Sequence, residues 1–252
     1  MIYFVGAGPG APDLITVRGM ELLKKADTII YAGSLVNPEL LRYAKEGCAV
    51  FDSAAMTLEE VVASLLRVHG QGGSAVRLHT GDPCVYGAIR EQMDALEAAG
   101  ASFEICPGVS SFCGAAAALK AEYTLPEVSQ SVTITRMAGR TPVPEGESIR
   151  AYAAHGATMV IFLSAGMAQA VQEELLAGGY AQDTPAAIVY KATWPDEKVI
   201  RCTAGTLQQS AAENGIENLA LIVVGDFLGK DYARSKLYDP AFTTAFRKGI
   251  EK

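Results

Sequence analysis

Three short glycine-bearing runs stand where an apolar stretch ends, two of them with an acid or hydroxyls close by, and each could hold a small ligand. Gly6-Ala-Gly-Pro-Gly-Ala11 follows Ile2–Val5, His79-Thr-Gly-Asp-Pro-Cys-Val-Tyr-Gly87 closes Ala75–His79, and Pro107-Gly-Val-Ser-Ser111 follows Phe103–Cys106. An open α/β sheet presents ligands at the carboxyl ends of its strands, so three such runs in one half of the chain should converge on one sheet edge. Gly81 lets a ligand approach the backbone. Asp82 reads as the cap of the next helix, with Pro83 in its first turn, and a capping carboxylate also fixes the neighbouring amides for a ligand. Ser110 and Ser111 are either caps or contacts. His79, at its strand end, is a candidate substrate contact.

Several other chemistries find no support. The first run satisfies the spacing of a dinucleotide fingerprint. However, Pro9 and Pro12 stiffen it, and Ala32-Gly33-Ser34 offers no acid for a ribose hydroxyl. There is no phosphate loop of the G-x-x-x-x-G-K-[ST] type, and Gly108-Val-Ser-Ser-Phe112 does not complete a nucleophile elbow. His69, His79 and His155 do not cluster with cysteine or acids at metal spacing, so no metal is expected. Among the basic residues, Arg136 and Arg140 flank a glycine after a strand end and Lys191 follows Ala186–Tyr190. These three are candidates for binding carboxylates, a task to which the forked guanidinium is suited.

The elements that must position these residues alternate. Strands are expected at Ile2–Val5, Thr28–Tyr31, Val50–Phe51, Ala75–His79 and Phe103–Cys106, with amphipathic runs between them such as Leu14–Ala26. Thr57 and Glu60 form a capping box before Val61, Val62, Leu65 and Leu66. Ala88, Ile89, Gln92, Met93 and Leu96 share one helical face. This alternation means right-handed crossovers and a mainly parallel sheet. After Leu125-Pro126 the character changes: strands are expected at Ser131–Arg136, Met159–Leu163, Ala186–Tyr190, Val199–Cys202 and Leu219–Val224. The short link Lys191–Lys198 makes the third and fourth of these antiparallel, hence a mixed sheet. The fold class is therefore two α/β domains, residues 1–120 and 121–252, with a cleft between them.

The chain has 252 residues, half of them apolar, and a net charge of −7, so it carries no general basic field for nucleic acid. The five cysteines are scattered without a C-x-x-C pair, which suits a reducing cytosol. The N-terminus reads as a strand rather than a signal peptide. The most apolar stretch, Gly156–Val171, is too short and too polar to span a bilayer.

Gly6-x-Gly-Pro-Gly10 with Asp13-Leu-Ile-Thr16, Gly81-Asp-Pro83 and Pro107-Gly-Val-Ser110 together resemble the tetrapyrrole methylase family, and the resemblance runs from residue 1 to about 249. Thr135–Glu145, Tyr190–Lys198 and Arg234–Asp239 are similar to the branch that methylates carbon 11 of precorrin-4 or cobalt-precorrin-4. The resemblance implies a cytoplasmic homodimer of two-domain subunits. S-adenosyl-L-methionine would lie in the cleft and leave as S-adenosyl-L-homocysteine, and the substrate would be a tetrapyrrole polycarboxylate. It implies cofactor contacts at Pro9, Thr80, Gly81, Asp82, Val85, Ser110 and Ser111, and in the second domain near Leu163 or Ser164 and Ala186 or Ala187. His79, Arg136, Arg140 and Lys191 are the substrate-binding candidates, and Asp82 acts by placing its loop. Neither nucleic acid nor membrane is an expected partner. Two alternatives stay open: methylation at another corrin carbon, and a non-catalytic nucleotide- or flavin-binding module.

Overall fold

Residues 1–250 are described by a computed structural model. They gather into two compact units, the first comprising Met1–Ala115 with Ala192–Asp196 and the second Ala116–Lys191 with the chain from Glu197 onward.

In the first unit, β1 (Ile2–Gly6), β2 (Thr28–Tyr31), β3 (Ala49–Asp52), β4 (Ala75–His79) and β5 (Phe103–Cys106) form a parallel sheet in the order β3-β2-β4-β1-β5. Alternation along the strands splits their side chains between two cores. Ile2, Phe4, Ile30 and Ala75 pack with Val61, Val62, Leu65 and Val68 of α2 (Leu58–Gly70) and Leu96 of α3 (Arg90–Ala98). Val5, Ile29, Val76 and Leu78 pack with Leu23 of α1 (Val17–Lys25) and with Val36 and Leu40. The helix after β1 and the helix after β4 thus cover opposite faces, which makes the neighbouring pair β1–β4 a topological switch point. The capping box at the start of α2 forms as expected, with Thr57 and Glu60 exchanging side-chain and backbone bonds.

The second unit holds β6 (Val132–Arg136), β7 (Thr158–Phe162), β8 (Pro185–Tyr190), β9 (Lys198–Thr203) and β10 (Ala220–Val224) in the order β6-β7-β10-β8-β9. Only β6 and β7 pair in parallel; β10 runs against both β7 and β8, and β8 against β9. Its core joins Met159, Ile161, Ala186, Ile188, Ile222 and Val224 to Ile149 of α5 (Ile149–Ala153), Val171 and Leu175 of α6 (Ala168–Ala177) and Leu207 of α7 (Leu207–Glu213). Burying each large aliphatic side chain of these cores contributes about 1.5–3 kcal/mol.

Local expectations shift in three places. The run from Leu14 to Ala26 divides: Pro12–Leu14 is a single 3-10 turn, and α1 begins only after Thr16, whose hydroxyl accepts from the Gly19 amide. Asp82 does not cap a helix, because α3 begins at Arg90 and Ala88 sits outside it with φ +48°. Leu163 falls outside β7, with φ +52°. Among the described residues no helix is long and apolar enough to cross a membrane, and no group of three or more His, Cys, Asp or Glu could hold a metal.

Candidate active site

The three glycine runs leave the carboxyl ends of the adjacent strands β4, β1 and β5. Beyond the ladder the first two stay paired: Ala7 N–H donates to the His79 carbonyl at 2.7 Å, and Gly8 and Gly81 exchange bonds of 3.2 and 2.9 Å. Glycine is needed here for chain against chain. A Cβ on Gly6 would lie 2.5 Å from Gly108 Cα, and one on Gly108 would run into the Gly81 carbonyl. Gly81, at φ +58°, has its open side filled by the Ser110–Ser111 backbone, which lies 3.2 and 3.3 Å from the position a Cβ would take. On that side glycine at 81 serves close packing of chain against chain.

Asp82 ties the second run to the third. One carboxylate oxygen accepts from Gly108 N–H at 2.7 Å and the other from Cys84 N–H at 2.8 Å. Burial pushes its pKa up, but the bonds from Cys84 and Gly108 outweigh that and hold it below the usual carboxylate range. The group is ionised and closes a tight turn over Pro83–Cys84. Tyr86 and Ala88 follow at φ +55° and +48°, two strained residues on the same loop as Thr80 and Val85. Ser110 is buried, and its carbonyl accepts from Cys113 and Gly114 at the start of α4 (Ser111–Leu119). Pro9 is also buried and lies against Gly114.

His79 sits behind the loops. It is 3% exposed, stacks on Phe4 with ring centroids 6.1 Å apart, and its Nε2 is buried without a hydrogen-bond partner. Burial, then the charge of Arg77, pull its pKa down to about 3. Arg77 is itself buried, bonded to the Ile30 carbonyl at 3.1 Å and to Gln92 Oε1 at 3.3 Å.

In the second unit, Arg136, Leu163–Ser164 and Lys191 share the sheet edge where β6, β7 and β8 end. The Ser164 hydroxyl donates to the Phe162 carbonyl at 2.6 Å and accepts from Met137 N–H at 2.8 Å, joining the ends of β6 and β7. Leu163 is left-handed and 60% exposed, an unusual combination for a large apolar residue. Arg136 spends its guanidinium on the carbonyls of Met137, Thr141 and Pro142, which shapes its own loop, while Arg140 is exposed. Lys191 lies over the Tyr190 ring at 5.4 Å. Ala186 and Ala187 are not brought to this edge. They are buried at the opposite end of β8, where Ala187 pairs with Val223 and Val223 with Val160, about 10 Å from the strand ends.

Sequence reasoning missed three residues that hold the first run. Asn37, 5% exposed, donates to the Gly10 carbonyl at 2.9 Å; Thr193 Oγ1 accepts from Ala11 N–H at 2.9 Å; and Trp194 covers Gly10. Asn37-Pro38 carries a turn signal, but nothing local indicates what its amide reaches.

Residues 1–208 match the model for the tetrapyrrole (corrin/porphyrin) methylases. A cobalt-precorrin-4 C(11)-methyltransferase of Methanocaldococcus jannaschii is 51% identical, over 100% of this chain and 97% of its own. The X-ray structure of a cobalamin biosynthetic enzyme, cobalt precorrin-4 methyltransferase, matches with a TM-score of 0.89 and 47% identity, over 91% of this chain and 96% of that one. Uroporphyrin-III C-methyl transferase from Thermus thermophilus, solved in complex with S-adenosyl homocysteine, matches at a TM-score of 0.76 and 27% identity, over 90% and 98% of the two chains. The fold, the converging strand-end loops and these likenesses agree, and the chain belongs to the tetrapyrrole (corrin/porphyrin) methylases.

Proposed function

We propose that this protein is an S-adenosylmethionine-dependent C-methyltransferase that methylates carbon 11 of precorrin-4 or cobalt-precorrin-4 in cobalamin biosynthesis. The observation that carries this reading is the 51% identity, end to end, with a protein named for that reaction. The loops of the first unit fit the cofactor's chemistry: an ionised Asp82 stands among them, complementary to a ligand with a positive sulfonium and an ammonium group.

S-adenosylmethionine supplies a methyl group already activated by the sulfonium, so the chain needs no metal or nucleophilic triad. Its residues bind, orient and exclude water. Pro9, Thr80, Gly81, Asp82, Val85, Ser110 and Ser111 are assigned to the cofactor, with Asp82 acting through the Gly108 amide it holds. In the second unit Leu163 and Ser164 are the cofactor candidates. Ala186 and Ala187 are weaker ones, since they lie away from that edge. Arg140 and Lys191 are assigned to substrate carboxylates, whereas Arg136 contributes by shaping the loop that carries Arg140. His79 supports the β4 loop from behind. A cytoplasmic homodimer completes the reading, from family resemblance.

The test is an anaerobic incubation with S-adenosylmethionine and enzymically made precorrin-4, with and without cobalt, read by mass spectrometry. Gain of one methyl by one form is the expected result and identifies that form as substrate. No gain by either, while S-adenosylhomocysteine still binds in a calorimeter, would retain the cofactor and remove this substrate.

A further inference from the structure

Between β8 and β9 the chain does something a simple hairpin does not require. Ala192–Asp196 belong to the first unit although the strands on either side belong to the second. Reaching there takes two non-glycine residues in the left-handed region, Lys191 at φ +45° and Thr193 at φ +70°. Each such residue stores backbone strain, which persists only where surrounding contacts over-determine the backbone.

Contacts from this segment fall on the glycine run after β1 and on Gly114 beside it. Thr193 Oγ1 accepts from Ala11 N–H at 2.9 Å across 182 residues of sequence. The Trp194 indole covers Gly10 so closely that a Cβ there would overlap its Cδ1 and Nε1 and stand 2.8 Å from the Ala192 carbonyl. The Thr193 methyl and Pro9 flank Gly114 together, at 3.3 and 2.8 Å from the position a Cβ would take. Asn37 donates to the Gly10 carbonyl as well. Pro9–Ala11 are thus held by residues from two other segments of the chain, at the switch point of the parallel sheet.

We propose that Thr193 and Trp194 are positioning residues: they latch Pro9–Ala11 in the conformation that receives the cofactor. The inference rests on the methyltransferase reading above. A purely structural tie would lower stability when cut and leave ligand affinity in the folded protein unchanged. A latch on a binding loop moves the affinity.

Trp194 is the sole tryptophan, so its emission reports on the latch without a label. The full chain is titrated with S-adenosylhomocysteine by calorimetry and by tryptophan fluorescence, followed by initial rates with S-adenosylmethionine varied. The wild type should bind with a change in Trp194 emission. Thr193→Val, which removes the acceptor at nearly constant volume, should weaken binding about tenfold and raise KM with kcat within about twofold, the size expected for one lost hydrogen bond. Thr193→Ser should restore affinity to within about twofold of the wild type, because it keeps the acceptor. If Thr193→Val does not fold, Trp194→Phe carries the test in calorimetry, with an expected loss of about threefold or more from reduced cover over Gly10. Affinity within about twofold of wild type in folded Thr193→Val, or unchanged affinity in Trp194→Phe where that variant carries the test, would overturn the latch. Absence of binding by the unmutated chain is a different result: it removes the methyltransferase reading and the latch with it.

Discussion

Asp82 and His79 stand three residues apart and do opposite electrostatic work. Asp82 is held ionised by backbone N–H groups from two loops, so Asp82→Asn puts an amide donor against one of them. Bonds to a charged acceptor of this kind are worth about 1.5–3 kcal/mol. We expect calorimetry to show S-adenosylhomocysteine binding weakened about tenfold or more, with Asp82→Ala no better. His79 is held neutral. Its folded pKa of about 3 lies below the unfolded value of about 6.5, so the unfolded chain takes up the proton first as pH falls. Stability contributed by keeping His79 neutral is complete above pH ~6.5 and drains as pH drops toward ~3, by up to about 4 kcal/mol over that window. His79→Leu should flatten this slope in urea titrations between pH ~6.5 and ~4. An equally steep slope in the variant would mean that the orphaned imidazole is not the source.

At the scale of elements, the question is what a glycine is for. Gly108→Ala forces a methyl into the Gly81 carbonyl and the Gly6 backbone, neither of which is the flexible end of a side chain. It should destabilise by about 1–3 kcal/mol in urea unfolding and weaken cofactor binding, because the loops can separate only by breaking their shared bonds. Gly70→Ala, at the last turn of α2 with nothing within 4 Å of the new methyl, should instead stabilise by about 0.5–1 kcal/mol. Sequence alone does not separate these two cases. Strand positions are legible in it because apolar runs such as Thr28–Tyr31 and Ala75–His79 have a strong local signal and end at glycine or polar residues. The convergence of the three runs is legible from strand alternation alone. What the glycines touch is not, since Gly6, Gly81 and Gly108 meet across about 100 residues of chain. The same limit hides Asn37 and Thr193, whose partners lie 27 and 182 residues away. Leu163 reads as strand because its side chain is apolar. Its left-handed backbone stands beside the tie between β6 and β7 that Ser164 makes, a contact between segments 27 residues apart.

For the whole molecule, charge is the property that reaches beyond any single loop. The chain carries −7 overall, and the substrate proposed for it is a tetrapyrrole polycarboxylate. At low salt the two repel over distances longer than any contact, and the screening length shrinks to about 10 Å at 0.1 M. The basic groups available to offset this are local. Arg136 is spent on three carbonyls of its own loop, which leaves Arg140 as the exposed guanidinium beside it. Long-range repulsion and short-range attraction respond differently to salt, because screening removes the former first. We therefore expect kcat/KM for the tetrapyrrole to hold steady or rise by up to about threefold between roughly 20 and 200 mM salt, in contrast to the fall seen in electrostatically steered enzymes. Arg140→Gln should lower kcat/KM at every salt concentration while leaving the shape of that dependence unchanged, since it removes a contact and barely alters the net field. A fall of about tenfold across the same range in the unmutated protein would show that a concentrated basic edge governs substrate capture and that the acidic remainder is too distant to matter.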